Sequence, residues 1–122
     1  MTTHEAVLHP PALINELKKN KISHIVWLPD SETNFMYQML QAEPTIDLVP
    51  VCREGETMAI AAGLWVGGAR PVVLIQNTGI FESGDSIRGL GLDIDQPLVT
   101  VSYTHLRAHE TLRYLVCRLL LE

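Results

Sequence analysis

Cysteine, basic clusters and long apolar runs are all scarce in this sequence, and each shortage removes a class of function. Cys52 and Cys117 are the only cysteines, far apart and without a Cys-x-x-Cys pair. That usage speaks against a disulfide-stapled secreted scaffold and fits two structural thiols in a reducing compartment, so a cytoplasmic location is expected. Nine Lys and Arg face fourteen Asp and Glu, and only Lys18, Lys19 and Lys21 gather. A nucleic-acid binder carries a basic stripe, so nucleic acid is not an expected partner. No apolar stretch approaches the roughly 18 residues of a membrane span, and the opening "MTTHEAVLHPP" lacks the basic-then-apolar form of a leader. A membrane is therefore not an expected partner either. The chain also has no Gly-x-Ser-x-Gly elbow and no Gly-Lys-Ser/Thr phosphate loop, and neither cysteine has neighbours that would activate a thiolate.

What is present is enough for one hydrophobic core: 122 residues, 47% hydrophobic and 19% charged. After Pro10 and Pro11, Ala12, Leu13, Ile14 and Leu17 make a helical stripe with a stop at Asn20. "ISHIVWLP" (22–29) reads as a buried strand. "DSETNFMYQMLQ" reads as a helix capped by Asp30 or Ser31, with Phe35, Met36, Met39 and Leu40 as its apolar face. "TIDLVPV" (45–51) predicts a second strand, "EGETMAIAAGLWVGG" a third helix ending at Gly67 and Gly68, and "RPVVLIQ" (70–76) a third strand. "NTGIFESGDS" reads as a turn-rich loop, "IRGLGLDID" as holding a short helix, and "QPLVTVS" as a fourth strand.

Strands alternating with helices predict an α/β fold, a parallel sheet in three layers with helices on both faces. Such sheets bind ligands at the carboxyl ends of their strands. The candidate loops are then Pro29 to Ser31, Arg53 to Glu56 and Asn77 to Asp85. Glu54 stands out among these residues, a carboxylate where an apolar strand gives way to a helix of small residues. A first-turn Glu complementing the helix dipole would account for it, as it would for Glu56.

The segment "CREGETMAIAAGLWVGGARPVVLIQNTGI", together with "LPDS" after the first strand, resembles the pyrimidine-binding domain of thiamine-diphosphate-dependent decarboxylases. Within them it is most like the alpha subunit of sulfopyruvate decarboxylase and the related phosphonopyruvate decarboxylases. The resemblance implies that Glu54 hydrogen-bonds N1′ of the cofactor's aminopyrimidine and so activates it for attack on a 2-oxo acid. It also implies that Gln76, Asn77 and Gly79 approach the pyrimidine edge, and that Asp30 and Ser31 border the substrate cavity. Arg53 and Arg88 are candidates for a substrate's second anion by position alone. Asp30 also fits a helix N-cap, and Asn77-Thr78-Gly79 an ordinary turn. Ala59, Ala61, Ala62 and Gly63 suit close helix packing, in the core or, as in the family, at a dimer interface.

In that family a second domain supplies Gly-Asp-Gly and a later Asn, which hold the metal and diphosphate. Here Gly84-Asp85-Ser86 lacks the last glycine, and no Asn follows Asn77. The resemblance thus implies half of an active site, an incomplete thiamine-diphosphate pyrimidine-binding fold whose Mg²⁺ and diphosphate are held by a separate beta subunit. A homo- or hetero-oligomer is expected, inactive without that partner. Asp93 and Asp95 read as a solvated turn, and no metal site is expected in this chain.

The domain implied is residues 1–102, truncated, with 103–122 a non-native or unassigned helical tail. "YTHLRAHETLRYLVCRLLLE" resembles a peptide encoded by sequencing-adapter DNA, although Leu112, Leu115, Val116, Leu119 and Leu120 form a helical stripe. His105 and His109, at i and i+4, lack a third ligand for zinc. Two other outcomes stay open: a nucleotide-binding flavodoxin-like or Rossmann-like module, and a truncated non-functional product.

Overall fold

Pro10 and Pro11 pre-set the backbone of a first helical turn, and helix α1 runs Pro10–Lys19 from there. Asn20 ends it by donating its side-chain amide to the Glu16 carbonyl at 2.8 Å, and Lys21, at φ 57°, turns the chain toward strand β1 (His24–Trp27). A 3-10 turn (Asn34–Met36) then leads into α2 (Tyr37–Ala42) and strand β2 (Asp47–Pro50). Helix α3 (Glu54–Val66) stops at Gly67, and Gly68 at φ 90° makes the turn that a side chain would strain. Strand β3 (Pro71–Gln76), helix α4 (Asn77–Glu82), a short helix α5 (Gly84–Ser86), a π-helical segment (Ile87–Asp93) and strand β4 (Thr100–Tyr103) complete the order. This is a computed structural model that describes residues 9–31 and 33–103. The tail with its leucine stripe, His105, His109 and Cys117 lies outside the described residues.

The four strands form one sheet in the order β2-β1-β3-β4, and every ladder is parallel. Ile25, Trp27, Val72 and Leu74 point to one face, where they meet Ile14 and Leu17 of α1 and Met36 and Leu40. Val26, Val73 and Ile75 point to the other, against Met58, Ala61 and Ala62 of α3. The two inner strands are therefore buried on both sides, which is why their sequences are continuous apolar runs without alternation. Trp27, Val26, Val73 and Ile75 are about 0% exposed, and burying a side chain of this kind contributes roughly 1.5–3 kcal/mol. The three-layer α/β architecture expected from the sequence is the one observed.

Helix α3 shows how the small residues divide. Thr57, Met58, Ala61 and Ala62 face the sheet and are buried, whereas Ala59 and Gly63 face outward. In the next layer Met36 and Leu40 pack inward as expected, but Met39 is 40% exposed because α2 is only 6 residues long and presents a single inward row.

The main departure from the sequence reading is "NTGIFESGDS", which is helical rather than a loop. Ile80, Ser83, Ile87 and Leu90 recur at helical spacing, and Ile80, Ile87 and Leu90 pack on the α3 side of the core. Ser83 fills the fourth slot: it is 1% exposed and its hydroxyl donates to the Gly79 carbonyl at 2.6 Å. A polar residue satisfied by its own helix thus takes the place of an apolar one. No helix among the described residues is long and apolar enough to cross a membrane.

Candidate functional site

The chain leaves β1 toward β2 on one side of the sheet and returns through α3 to β3 on the other. The crevice outside the carboxyl ends of β1 and β3 is thus the topological switch point, where ligands of open α/β sheets bind. Pro29 to Ser31 follow β1 and Asn77 to Gly79 follow β3, so these two loops flank it; the start of α3, after β2, brings Glu54 against Gly79.

Glu54 is the first residue of α3 and is half-buried. Its side chain lies directly on Gly79, in the first turn of α4. A Cβ at position 79 would run into Glu54 Cγ and come within 3.1 Å of its Cβ and Cδ, so the absence of a side chain there makes the slot. Among the described residues the Glu54 carboxylate has no hydrogen bond or ion pair.

The hydrogen-bonding work of a first-turn carboxylate is done by others. Gly55 N–H donates to Glu82 Oε2 at 2.8 Å, and Cys52 N–H donates to Glu56 Oε2 at 3.4 Å. The Glu54 carbonyl accepts from the Thr57 hydroxyl at 2.5 Å. Helix capping therefore explains Glu56 and Glu82 but leaves the Glu54 carboxylate without an internal role.

The remaining candidates fall into three kinds. Asn77, at the start of α4, has a buried Oδ1 with no partner, and Gln76 beside it is half-buried at the end of β3. An orphaned buried acceptor is costly unless something donates to it. Asp30 is engaged: its Oδ1 accepts from Thr33 N–H and from the Thr33 hydroxyl, both at 3.0 Å, while Thr33 Oγ1 accepts from Trp27 Nε1 at 3.0 Å. Asp30 thus braces the turn before the 3-10 segment instead of capping a longer helix, and Ser31 beside it is exposed. Arg53 is 72% exposed, with Nε on Glu82 Oε1 at 2.5 Å.

Arg88 is bound on the surface by Asp85 at 2.9 Å and Asp93 at 2.7 Å, and its hydrogen bond to Asp85 raises its pKa above the ordinary arginine value. The same contact occupies the aspartate of Gly84-Asp85-Ser86. No group of three or more His, Cys, Asp and Glu side chains suited to a metal comes together among the described residues.

Sequence reasoning missed Glu82. Its signal was present, a carboxylate three residues beyond Gly79, but it carries meaning only when 77–82 is read as helix. Two hollows lie away from the candidates: a small apolar one is walled by Leu13, Leu17, Ile25, Val72, Leu74 and Val101, and a second by Pro11, Ile14, Asn15, Met39, Ala42 and Glu43.

These residues fit one part of thiamine diphosphate and not the other. An unpartnered half-buried carboxylate and an orphaned amide oxygen suit the polar edge of an aminopyrimidine. The diphosphate is not suited by the start of α3, where the Glu82 carboxylate already accepts from Gly55 N–H.

No family model matches the chain. Two curated proteins are similar to it. It is 30% identical over 79 residues to sulfopyruvate decarboxylase subunit alpha of Methanocaldococcus jannaschii, a match covering 65% of this chain and 47% of that protein. With the subunit of the same name from Methanothermobacter thermautotrophicus it is 32% identical over 74 residues, covering 61% of this chain and 45% of the relative. The match thus spans less than half the length of each relative. The resemblance to the sulfopyruvate decarboxylase alpha subunit expected from the sequence is borne out by these two proteins.

Proposed function

We propose that this chain is the cofactor-activating part of a 2-oxo acid decarboxylase that uses thiamine diphosphate, of the sulfopyruvate or phosphonopyruvate kind, working in the cytoplasm. The observation that carries this reading is the Glu54 carboxylate, seated on Gly79 and left without an internal partner while Glu56 and Glu82 cap its helix. When bound, thiamine diphosphate supplies the electron sink that a 2-oxo acid needs to lose CO₂.

This chain's own contribution is a proton held at one ring atom. Glu54 would hydrogen-bond pyrimidine N1′ and hold or release the proton there. Asn77 Oδ1, buried without a partner, would accept a hydrogen bond from the ring's amino group, with Gln76 beside it and Gly79 leaving the approach clear. Asp30 and Ser31 would border the substrate from the β1 side, Asp30 by bracing that loop. Arg53, its Nε held by Glu82, would turn its other N–H groups to a substrate's second anion. Mg²⁺ and the diphosphate would be held by a separate subunit, as the designation "subunit alpha" of both relatives suggests.

The test is Glu54→Gln, assembled with a diphosphate-binding subunit. Gln keeps the shape and a hydrogen-bonding group but cannot take the proton. Turnover is expected to fall by about 10²–10⁴, the usual contribution of a positioned acid or base, with melting behaviour retained. Wild-type turnover in that variant refutes the reading.

A further inference from the structure

We propose that Glu82 is a positioning residue for Glu54, an inference that rests on the function proposed above. Glu82 is the last residue of α4, in a helical run that continues through Gly84–Ser86 and Ile87–Asp93. Across the gap its carboxylate faces the start of α3, where the helix dipole favours a negative charge. Its two oxygens take up the two neighbours of Glu54 in sequence: Oε2 accepts from Gly55 N–H at 2.8 Å, and Oε1 accepts from Arg53 Nε at 2.5 Å. One carboxylate thus grips the backbone after Glu54 and the side chain before it.

The remaining geometry supports that grip. Gly79, three residues before Glu82 and on the same face of α4, lies beneath the Glu54 side chain. The two contacts, Gly79 under Glu54 and Glu82 on Gly55, set the spacing of α4 against the first turn of α3. Position 55 must be small for this: a Cβ there would be 3.3 Å from Glu82 Oε2. The Ser83 hydroxyl on the Gly79 carbonyl keeps the intervening turn wound. Direct bonds on both sides of the residue that must meet N1′ fix where its carboxyl points, and proton transfer is sensitive to displacements of about 1 Å.

The variants are Glu82→Ala, which removes the grip, and Glu82→Gln, which keeps one oxygen for Gly55 N–H and gives up the charge on Arg53. Two readouts separate positioning from mere stapling of the fold. In the chain alone, solvent exchange of the Gly55 amide is followed by NMR. In the assembled enzyme, exchange of the C2 proton of bound thiamine diphosphate with deuterium is followed beside kcat and KM.

Glu82→Ala is expected to speed Gly55 exchange and to slow C2 exchange and kcat by about ten-fold or more, with KM for the 2-oxo acid unchanged. Glu82→Gln should recover most of both. A Gly55 amide as protected in Glu82→Ala as in wild type, or a loosened Gly55 with C2 exchange and kcat unaltered, overturns the inference. So does a loss that follows only the folded fraction and is equal in both variants. Glu54→Gln serves as the reference: if it exchanges the C2 proton like wild type, the proposed function fails and this inference with it. If it does not while Glu82→Ala does, the inference alone fails.

Discussion

Replacing Gly79 with alanine separates the packing of this site from its chemistry. The new methyl group would collide with Glu54 Cγ and press on Glu54 Cβ and Cδ at 3.1 Å. Cγ can escape only through a different χ1, which carries the carboxyl elsewhere. Cβ is fixed by the α3 backbone, so α3 and α4 must also part by a few tenths of an ångström. Overpacking of this kind costs about 1–3 kcal/mol, and exchanging Gly for Ala within a helix returns about 1 kcal/mol. Gly79→Ala should therefore remain folded, with a net loss of about 0–2 kcal/mol. Displacing the carboxyl by about 1 Å should meanwhile reduce turnover of the assembled enzyme roughly 100-fold. Urea unfolding of the chain and turnover with the partner subunit measure the two quantities. Gly63→Ala is the control for the stability arm: it also sits in a helix, nothing in the chain lies within 4 Å of its would-be Cβ, and the chain alone should be stabilised by up to about 1 kcal/mol. Wild-type turnover in Gly79→Ala would refute the argument that the glycine makes room for a catalytic carboxylate.

Two further predictions concern the scaffold. Thr33 is 2% exposed and joins Trp27 Nε1 to Asp30, so Thr33→Val leaves a buried indole N–H without its acceptor. The expected cost is about 1–3 kcal/mol in chemical unfolding, and no change there would show that the hydroxyl bears no weight. Glu43 accepts from the Thr45 hydroxyl at 2.6 Å and from its N–H at 3.2 Å, and these bonds, with Lys18 adding to them, hold the Glu43 carboxyl below its ordinary pKa. A carboxyl lowered by folding contributes stability above its unfolded pKa and loses it as pH falls through the folded value. Glu43→Gln should therefore lower Tm modestly at neutral pH and flatten the fall below about pH 4, so that the two profiles converge at the acid end. An acid limb as steep as wild type would contradict the assignment.

How much of this was legible in the sequence depended on whether the signal was local. Helix α3 was readable from end to end because its start follows a strand, its interior after Gly55 is free of helix breakers until Gly63, and Gly67-Gly68 can only end it. The apolar runs around Val26 and Val73 betrayed strands buried on both faces, and hence the parallel sheet. The stretch after Gln76 was obscured because Asn, Gly and Ser are turn formers by composition, and the buried Ser83 breaks an otherwise helical apolar period. Glu82 was out of reach for a different reason. Its partners Arg53 and Gly55 are 29 and 27 positions away, and they meet it only after β3 has carried the chain back to the end of the sheet where α3 begins. Likewise, that Glu54 is a carboxylate was plain, but that it lacks a partner depends on what Glu56 and Glu82 do.

The carboxylates around the start of α3 also bear on which ligand this fold can accept. In nucleotide-binding α/β proteins a phosphate rests on the amides of a helix that follows a strand. Here that place holds Glu82 on Gly55 N–H, with Glu54 and Glu56 in the same first turn. An incoming phosphate would have to displace one carboxylate and approach two others. Two like charges about 4 Å apart near a protein surface repel by about 4 kcal/mol. A nucleotide reading of this loop is therefore opposed by the same groups that leave Glu54 available. On the function proposed above, Glu54 would meet the pyrimidine of thiamine diphosphate here, and the same carboxylates are the reason to expect its diphosphate and Mg²⁺ on a separate subunit.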